Sequence, residues 1–417
     1  MFKRIKRLLK IVGPGVITGA SDDDPSGIAI YSQTGAQGGT QLLWTAPFLL
    51  PFMVTMQEMC ARIGMVTGKG LIGAMRNHYP SILLWITATT VLVANTVNIG
   101  ADLLAMAAST RLLFPIDLRL MAVLYALVII VFLVFFPYKT LAKILKWLTL
   151  SLFAYIFTLF IINPSWTEIL KSTFIPTVQF NRESILLVVA LMGTTISPYL
   201  FFWQASQEAE EEGAKGMIDN RRKVQIVSKG QIRVMEQDVT IGMFFSNLVM
   251  FFIIATTGST LFKAGIFEIQ TAEQAASALR PLAGDASFLL FTLGILGTGF
   301  LAIPILAGAG AYAMSEIFGF REGFNGNIAR SKLFYAVIFL SILAGLLFTL
   351  FNIPPFRALF ITGVFYGILS PVLIVIILDI SNRESIMGNY RNGMLSNILG
   401  VTTFVLMTLA AIGAMIL

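Results

Sequence analysis

The residues best equipped for chemistry in this chain are carboxylates placed where carboxylates are costly. Asp22, Asp23 and Asp24 stand together in Gly19-Ala-Ser-Asp-Asp-Asp-Pro-Ser-Gly27, inside a largely apolar run that begins at Ile11. An acid at membrane depth is expensive and is usually found facing a cavity or a partner. Pro25 removes a backbone donor and obstructs the turn before it. Gly27, Gly35, Gly38 and Gly39 loosen the chain further. The pattern predicts a helix that unwinds near Asp24 and restarts after it. Backbone carbonyls freed there, with a carboxylate, make a hard-oxygen site for a cation. The plainer alternative, a polar cap at an interface, is disfavoured because the acids fall well inside the first apolar segment.

A second interruption is Gly193-Thr-Thr-Ile-Ser-Pro-Tyr199, again with proline in mid-segment and hydroxyl residues before it. Thr194 and Ser197, three residues apart, share a face if the turn is helical. A simple proline kink packed by Ser and Thr explains this motif equally well when it is taken alone. Asp102, in Asn98-Ile-Gly-Ala-Asp102, is the other acid expected within a segment interior. It can serve as an anchor behind the site, a proton acceptor, a pathway residue or a structural partner of a backbone group.

The elements that position these residues follow from composition. The chain has 417 residues, 56% hydrophobic and 12% charged, with a mean hydropathy of +0.82. A soluble domain carries roughly a quarter charged residues. Apolar segments of about 20 residues, enough to cross a bilayer core, recur throughout. With no water there, each must satisfy its own backbone as a helix. Eleven spans are expected: 11–36, 42–63, 82–109, 120–137, 143–163, 184–205, 238–262, 285–314, 333–351, 357–378 and 394–416. With a cytoplasmic N-terminus, 22 of the 29 Lys and Arg fall in cytoplasmic segments and seven in outer ones, as the positive-inside rule requires. The C-terminus is then extracytoplasmic. The basic stretch Met1–Lys10 reads as the lead-in to a retained first helix, not a cleaved signal. The 206–236 segment, with Glu208 and Glu210–Glu212, reads as a solvated loop or as an acidic collar that concentrates cations.

Breaks in the first and sixth spans point to two five-helix halves with a site between them. The expected architecture is an all-α polytopic membrane protein in one transmembrane domain. One repeat covers about 11–163, a second about 184–378, and an extra helix about 394–416. One cysteine, Cys60, and one histidine, His78, exclude a disulfide framework and a Cys/His metal cluster. Cys60 reads as a buried, inert thiol. The net charge of +7 reflects loop placement rather than nucleic-acid binding. No phosphate-binding string, soluble sensor or catalytic constellation is present, so neither an enzyme nor an ATP-driven pump is expected.

These residues resemble the natural resistance-associated macrophage protein (Nramp) family of divalent metal transporters. That family carries Asp-Pro-Gly-Asn in its first helix, where this chain has Asp24-Pro25-Ser26-Gly27. Its second helix ends in Gln, then Ala-Arg-x-Gly-x-Val-Thr-Gly; here Gln57 precedes Ala61-Arg62-Ile63-Gly64-Met65-Val66-Thr67-Gly68. Its sixth helix carries Ala-x-x-Met-Pro-His, matched by Thr194-Thr-Ile-Ser197-Pro198-Tyr199. The resemblance covers spans one to ten and implies a LeuT-like five-plus-five inverted repeat.

The resemblance also implies a ligand set, and the chain departs from it. The family's first-helix Asp falls at Asp24 and its Asn at Gly27. Its sixth-helix Met falls at Ser197, and its two carbonyl ligands at Ser21 and Thr194. A soft thioether is thus replaced by a hydroxyl, and an amide ligand is missing. Carboxylate, carbonyl, hydroxyl and water suit Mg²⁺, Ca²⁺ and Mn²⁺. The family's sixth-helix His falls at Tyr199, which does not titrate near neutral pH, and its tenth-helix Gln falls at Gly363. Of an Asp and a Glu in its third helix, only Asp102 remains. These departures resemble the family's magnesium-transporting branch. The expected function is transport of Mg²⁺ and Mn²⁺ across the cell membrane without proton coupling. The alternative is a proton-coupled Mn²⁺/Fe²⁺ importer. The partners are then the divalent ion and the bilayer, with no resident cofactor, no nucleic acid and no obligate protein partner.

Overall fold

The computed structural model describes residues 13–136, 149–177, 181–214, 218–219, 224–225, 227–324, 328, 331–351 and 353–416. The basic segment 1–10 and Lys139, Lys143, Lys146, Lys215, Arg221, Arg222, Lys223 and Arg330 of the charge pattern lie outside the described residues. So does much of the expected fifth span.

Helix dominates. The principal helices are α1 (Pro14–Asp22), α2 (Pro25–Gly38), α3 (Thr45–Thr67), α4 (Ser81–Arg111), α5 (Leu118–Phe135), α6 (Phe153–Ile162) and α7 (Arg182–Thr195). They continue with α8 (Pro198–Ala214), α9 (Lys229–Thr260), α10 (Ser287–Phe318), α11 (Lys332–Phe348), α12 (Pro355–Asn382) and α13 (Met394–Ile416). Among the described residues the one departure from helix as regular structure is a short antiparallel pair, Ile218–Asp219 with Val224–Gln225. Short helices at Leu71–Met75, Trp166–Phe174 and Ala272–Ser277 occupy segments read from sequence as plain loops.

Eight helices among the described residues are long and apolar enough to cross a membrane. The other three expected spans differ for physical reasons. The first is split into pieces of 9 and 14 residues. The second is a continuous helix of 23 residues that carries Gln57, Glu58 and Arg62. Of the fifth, the described part is the ten-residue α6 preceded by a short 3₁₀ turn.

The polar 206–236 segment corrects the expectation of a loop. α8 runs on to Ala214 and α9 starts at Lys229. Ala, Gln and Glu are good helix formers, and Ser228 with Gln231 forms a reciprocal cap at the start of α9. The acids are held rather than solvated. Glu208 accepts from Gln204 at 2.9 Å, Glu212 from Gln231 at 3.3 Å, and Glu210 from the Tyr312 hydroxyl and the Phe324 amide.

The directions of the helices are fixed by paired contacts. α1 and α2 run parallel to α9: Gly13 and Gly15 donate to Asp238 at 2.9 and 2.7 Å, Gly19 abuts Gly242, and Gly35 abuts Thr257 and Gly258. α4 is antiparallel to α10, with Trp85 on Phe318, Asn95 donating to the Leu306 carbonyl and Thr292 to that of Ser109. α7 runs parallel to α12, since Gly363 packs on Ala190 and Ser370 donates to the Ile196 carbonyl. α12 and α13 are antiparallel, with Asn382 bonded to Asn397 and Leu378 against Gly400. Cys60 is buried and free, in α3.

Glu322, just beyond α10, is an acid with a testable consequence. Its Oε2 is buried without a partner. Burial first, then the charges of Glu316 and Glu210, push its carboxyl far up, to about 10. The folded protein therefore holds a proton that the unfolded chain releases. Stability from this group is full at acid pH and is lost as pH rises from the ordinary glutamate range toward 10. Glu322→Gln should raise the thermal midpoint at pH 8 and leave it unchanged at pH 4.5, by thermal denaturation in detergent. Equal effects at both pH values would contradict this.

Candidate functional site

The two breaks share one local plan. A residue leaves the helix, Asp23 with φ −84° and ψ 48° in the first break and Ile196 with φ −111° and ψ 61° in the second. One more residue follows, Asp24 or Ser197, and a proline begins the next helix. Proline suits that position because a first-turn amide has no intrahelical partner to lose. Asp24 and Ser197 thus occupy matching places.

Asp24 caps α2. Its Oδ1 accepts from the Gly27 amide at 2.7 Å and from the Ser26 hydroxyl at 2.6 Å, a normal use of aspartate at a helix start. Oδ2 accepts from the Asn98 side-chain amide of α4 at 3.0 Å. A carboxylate offers about four acceptor sites. Those three bonds fix the group in place, with Oδ1 held by the cap and Oδ2 turned toward α4. Asp24 is only 1% exposed. The breaks face each other through Ser26 and Thr194, whose hydroxyl oxygens lie 3.5 Å apart.

The freed carbonyls are also held. The Tyr199 hydroxyl donates to the Ser21 carbonyl at 2.9 Å. The Ser197 hydroxyl donates to the Thr194 carbonyl and lies 3.3 Å from that of Gly193. Tyr199 stacks obliquely on Tyr366, 5.9 Å between centroids, and Tyr366 donates to Asn95 at 2.9 Å. Among the described residues no three His, Cys, Asp or Glu side chains gather as a metal site. An arrangement of one carboxylate with neutral oxygens is what the geometry offers.

The structure thus joins Asp24, Gly27, Thr194 and Ser197 in one hydrogen-bonded set through Ser26, and separately pairs Ser21 with Tyr199 across the two breaks. Two of the expected site residues are glycines. Gly27 has no side chain to donate, and its contribution is the amide that holds Asp24. Gly363 lies at a helix crossing: a Cβ there would meet Ile30 Cδ1 at 2.3 Å and the Ala190 carbonyl at 3.2 Å. Asp102 is fully buried, and neither carboxylate oxygen has a partner, which excludes a backbone-anchoring role in this conformation. Sequence reasoning missed Ser26 and Asn98. Asn98 sits one helical turn before Asp102, so a shared face was the available signal.

Comparison with known proteins agrees with this architecture. Residues 15–417 match the Nramp family, natural resistance-associated macrophage protein-like. A divalent metal cation transporter MntH from Caldanaerobacter subterraneus is 25% identical over 405 residues, covering 95% of this chain and 90% of its own. An MntH from Erwinia tasmaniensis is 25% identical over 390 residues, covering 92% and 89%. The crystal structure of the Eremococcus coleocola manganese transporter has the same fold, with TM-score 0.76, 18% identity, and 98% and 87% of the two chains covered. Mhp1, a nucleobase-cation-symport-1 family transporter, aligns more distantly, with TM-score 0.55 at 14% identity over 97% and 92%. Its breadth of match marks the fold as LeuT-like. The chain is a multi-pass membrane protein of the Nramp family.

Proposed function

We propose that the chain carries divalent cations, Mg²⁺ and Mn²⁺, across the cell membrane by alternating access and without coupled protons. The observation that carries this reading is Asp24, a buried carboxyl fixed by its cap at the first break, with the second break facing it through Ser26 and Thr194. The supplied set is Asp24 Oδ2, the Ser21 and Thr194 carbonyls and the Ser197 hydroxyl. Hard oxygen ligands with retained water suit Mg²⁺ and Mn²⁺ better than softer metals. Tyr199 at the place of a titrating histidine removes one route for a proton. Inward movement is then driven by the membrane potential, about 4.6 kcal/mol per divalent ion at 100 mV.

The architecture proposed for this cycle is eleven spans, with a repeat over 11–163, another over 184–378 and an added helix over 394–416. The N-terminus is cytoplasmic and the C-terminus extracytoplasmic. The matching plans of the two breaks favour the repeat. The parallel course of α1–α2 with α9, and of α7 with α12, favours the count, since spans an even number apart run the same way.

A cation that coordinates the Ser21 carbonyl competes with the Tyr199 hydroxyl for it. One hydrogen bond is worth about 1 kcal/mol net, so Tyr199→Phe should lower KM for the ion up to about fivefold. Initial-rate uptake measures this. A raised KM would mean that the hydroxyl binds the ion instead of competing with it.

A second reading is a proton-coupled Mn²⁺/Fe²⁺ importer, and the manganese in the name of a structural relative favours its choice of ion. Uptake into proteoliposomes, with Mg²⁺ and Mn²⁺ compared and internal pH recorded, separates the two. Mg²⁺ uptake with constant internal pH is expected. Mn²⁺ uptake without Mg²⁺ and with acidification would reverse the assignment.

A further inference from the structure

One buried amide of α4 is held at only one end. Asn98 is 0% exposed. Its Nδ2 donates to Asp24 Oδ2 at 3.0 Å, while its Oδ1 has no hydrogen-bond partner. Asn95, almost one turn earlier on the same helix, is the contrast. It donates to the Leu306 carbonyl at 2.9 Å and accepts from the Tyr366 hydroxyl at 2.9 Å, so it is fixed at both ends. A buried amide oxygen without a partner keeps the cost of its lost hydration. Such a group in a native fold calls for an explanation.

The geometry around this amide supplies one. Nδ2 is a donor only and cannot ligate a cation, whereas Oδ1 can. A half turn about Cβ–Cγ exchanges the two atoms and puts Oδ1 close to where Nδ2 now stands, 3.0 Å from Asp24 Oδ2. Ligands of Mg²⁺ stand about 2.0–2.1 Å from the ion in a near-ideal octahedron, so two of them along one edge are about 2.8–3.0 Å apart. The spacing of Asn98 and Asp24 is that of two neighbouring oxygen ligands. The turned Nδ2 also has an acceptor to hand. Asp102, four residues along α4, is a helical neighbour, and both of its carboxyl oxygens lack a partner.

We propose that Asn98 is a direct ligand of the transported cation: its side-chain amide turns over as the ion arrives, and Oδ1 shares the ion with Asp24 Oδ2. The ion itself rests on the transport reading above, whereas the turnover rests on the unequal bonding of the two ends of this side chain. The ligands named so far all lie at the two breaks. Asn98 lies on α4, an unbroken helix of 31 residues that is bonded to α10 through Asn95 and Thr292. An ion held by Asp24 and Asn98 together therefore ties the first break to a helix outside both.

Infrared difference spectra test this, on full-length protein in detergent with asparagine ¹³C-labelled at Cγ and Mg²⁺ added. Wild type should show one labelled carbonyl band moving to lower frequency, and Asn98→Leu should lack that movement. A labelled band that stays in place while calorimetry records Mg²⁺ binding overturns Asn98 as a ligand and leaves the transport reading standing. A moving band that survives in Asn98→Leu overturns it equally. Wild type that binds neither Mg²⁺ nor Mn²⁺ removes the transport reading and this proposal together. Affinity gives a second measure. Asn98→Leu should bind Mg²⁺ roughly tenfold more weakly, the scale of losing a group that touches a metal ligand. Asn98→Asp keeps an oxygen and loses the donor, so it should bind at least as tightly as wild type. A residue that only steadies Asp24 through its N–H would weaken binding in both variants, and equal weakening overturns the proposal.

Discussion

Asp24→Asn should reduce Mg²⁺ and Mn²⁺ uptake at least about thirtyfold while leaving the fold intact. Asparagine caps a helix as well as aspartate does, so the Gly27 and Ser26 bonds have a replacement acceptor. Only the charge is lost. Removing one partner of a buried charge pair costs about 2–5 kcal/mol, and each 1.4 kcal/mol is a factor of ten. Asp24→Ala removes the cap as well, adding about 1 kcal/mol of destabilisation. The pair therefore separates transport from stability. Proteoliposome uptake and thermal melting of both variants make the comparison. Uptake by Asp24→Asn above a tenth of wild type would mean that another group supplies the charge.

Gly19→Ala should lower the thermal midpoint in detergent by roughly 3–4 °C, from a loss of about 3 kcal/mol. The added Cβ would lie 2.3 Å from both the carbonyl carbon and oxygen of Gly242. No side chain can swing aside there, because the obstacle is backbone. Gly242 meets the same limit from the other side, 2.2 Å from the Gly15 carbonyl oxygen. Gly38→Ala in the same broken span is the control, since its nearest neighbour is Leu42 Cδ1 at 3.9 Å. Equal midpoints for the two variants would show that α1 does not rest on α9 in the way described.

Which of this was legible in the sequence follows from the range of each signal. Both breaks were readable, because Asp24-Pro25 and Ser197-Pro198 disrupt a helix through their own covalent chemistry. Long apolar runs announced α4, α5 and α9 to α13 for the same local reason. The end of α8 was hidden, because Glu210–Glu212 look solvent-seeking until Tyr312 and Gln231 are known to meet this helix. Asn98 on Asp24, Tyr199 on Ser21 and Ser246 on Asp22 join residues 74, 178 and 224 apart. Spacing along a chain carries no record of such contacts. The crossing of Gly363 with Ala190 and Ile30 is likewise a property of packing.

The hydroxyls of Tyr199 and Ser197 have a consequence for turnover. A carrier that works without a second ion must swing back with nothing aboard. At that moment the Ser21 and Thr194 carbonyls, stripped of both ion and water, would be bare in a low-dielectric interior and would stall the return stroke. In this protein each carbonyl already has a hydroxyl hinged close enough to take the ion's place. On the proposed cycle, loading and unloading become swaps of partner, which lowers the cost of the unladen half. Net one-way flux should then run about as fast as exchange of ion for ion.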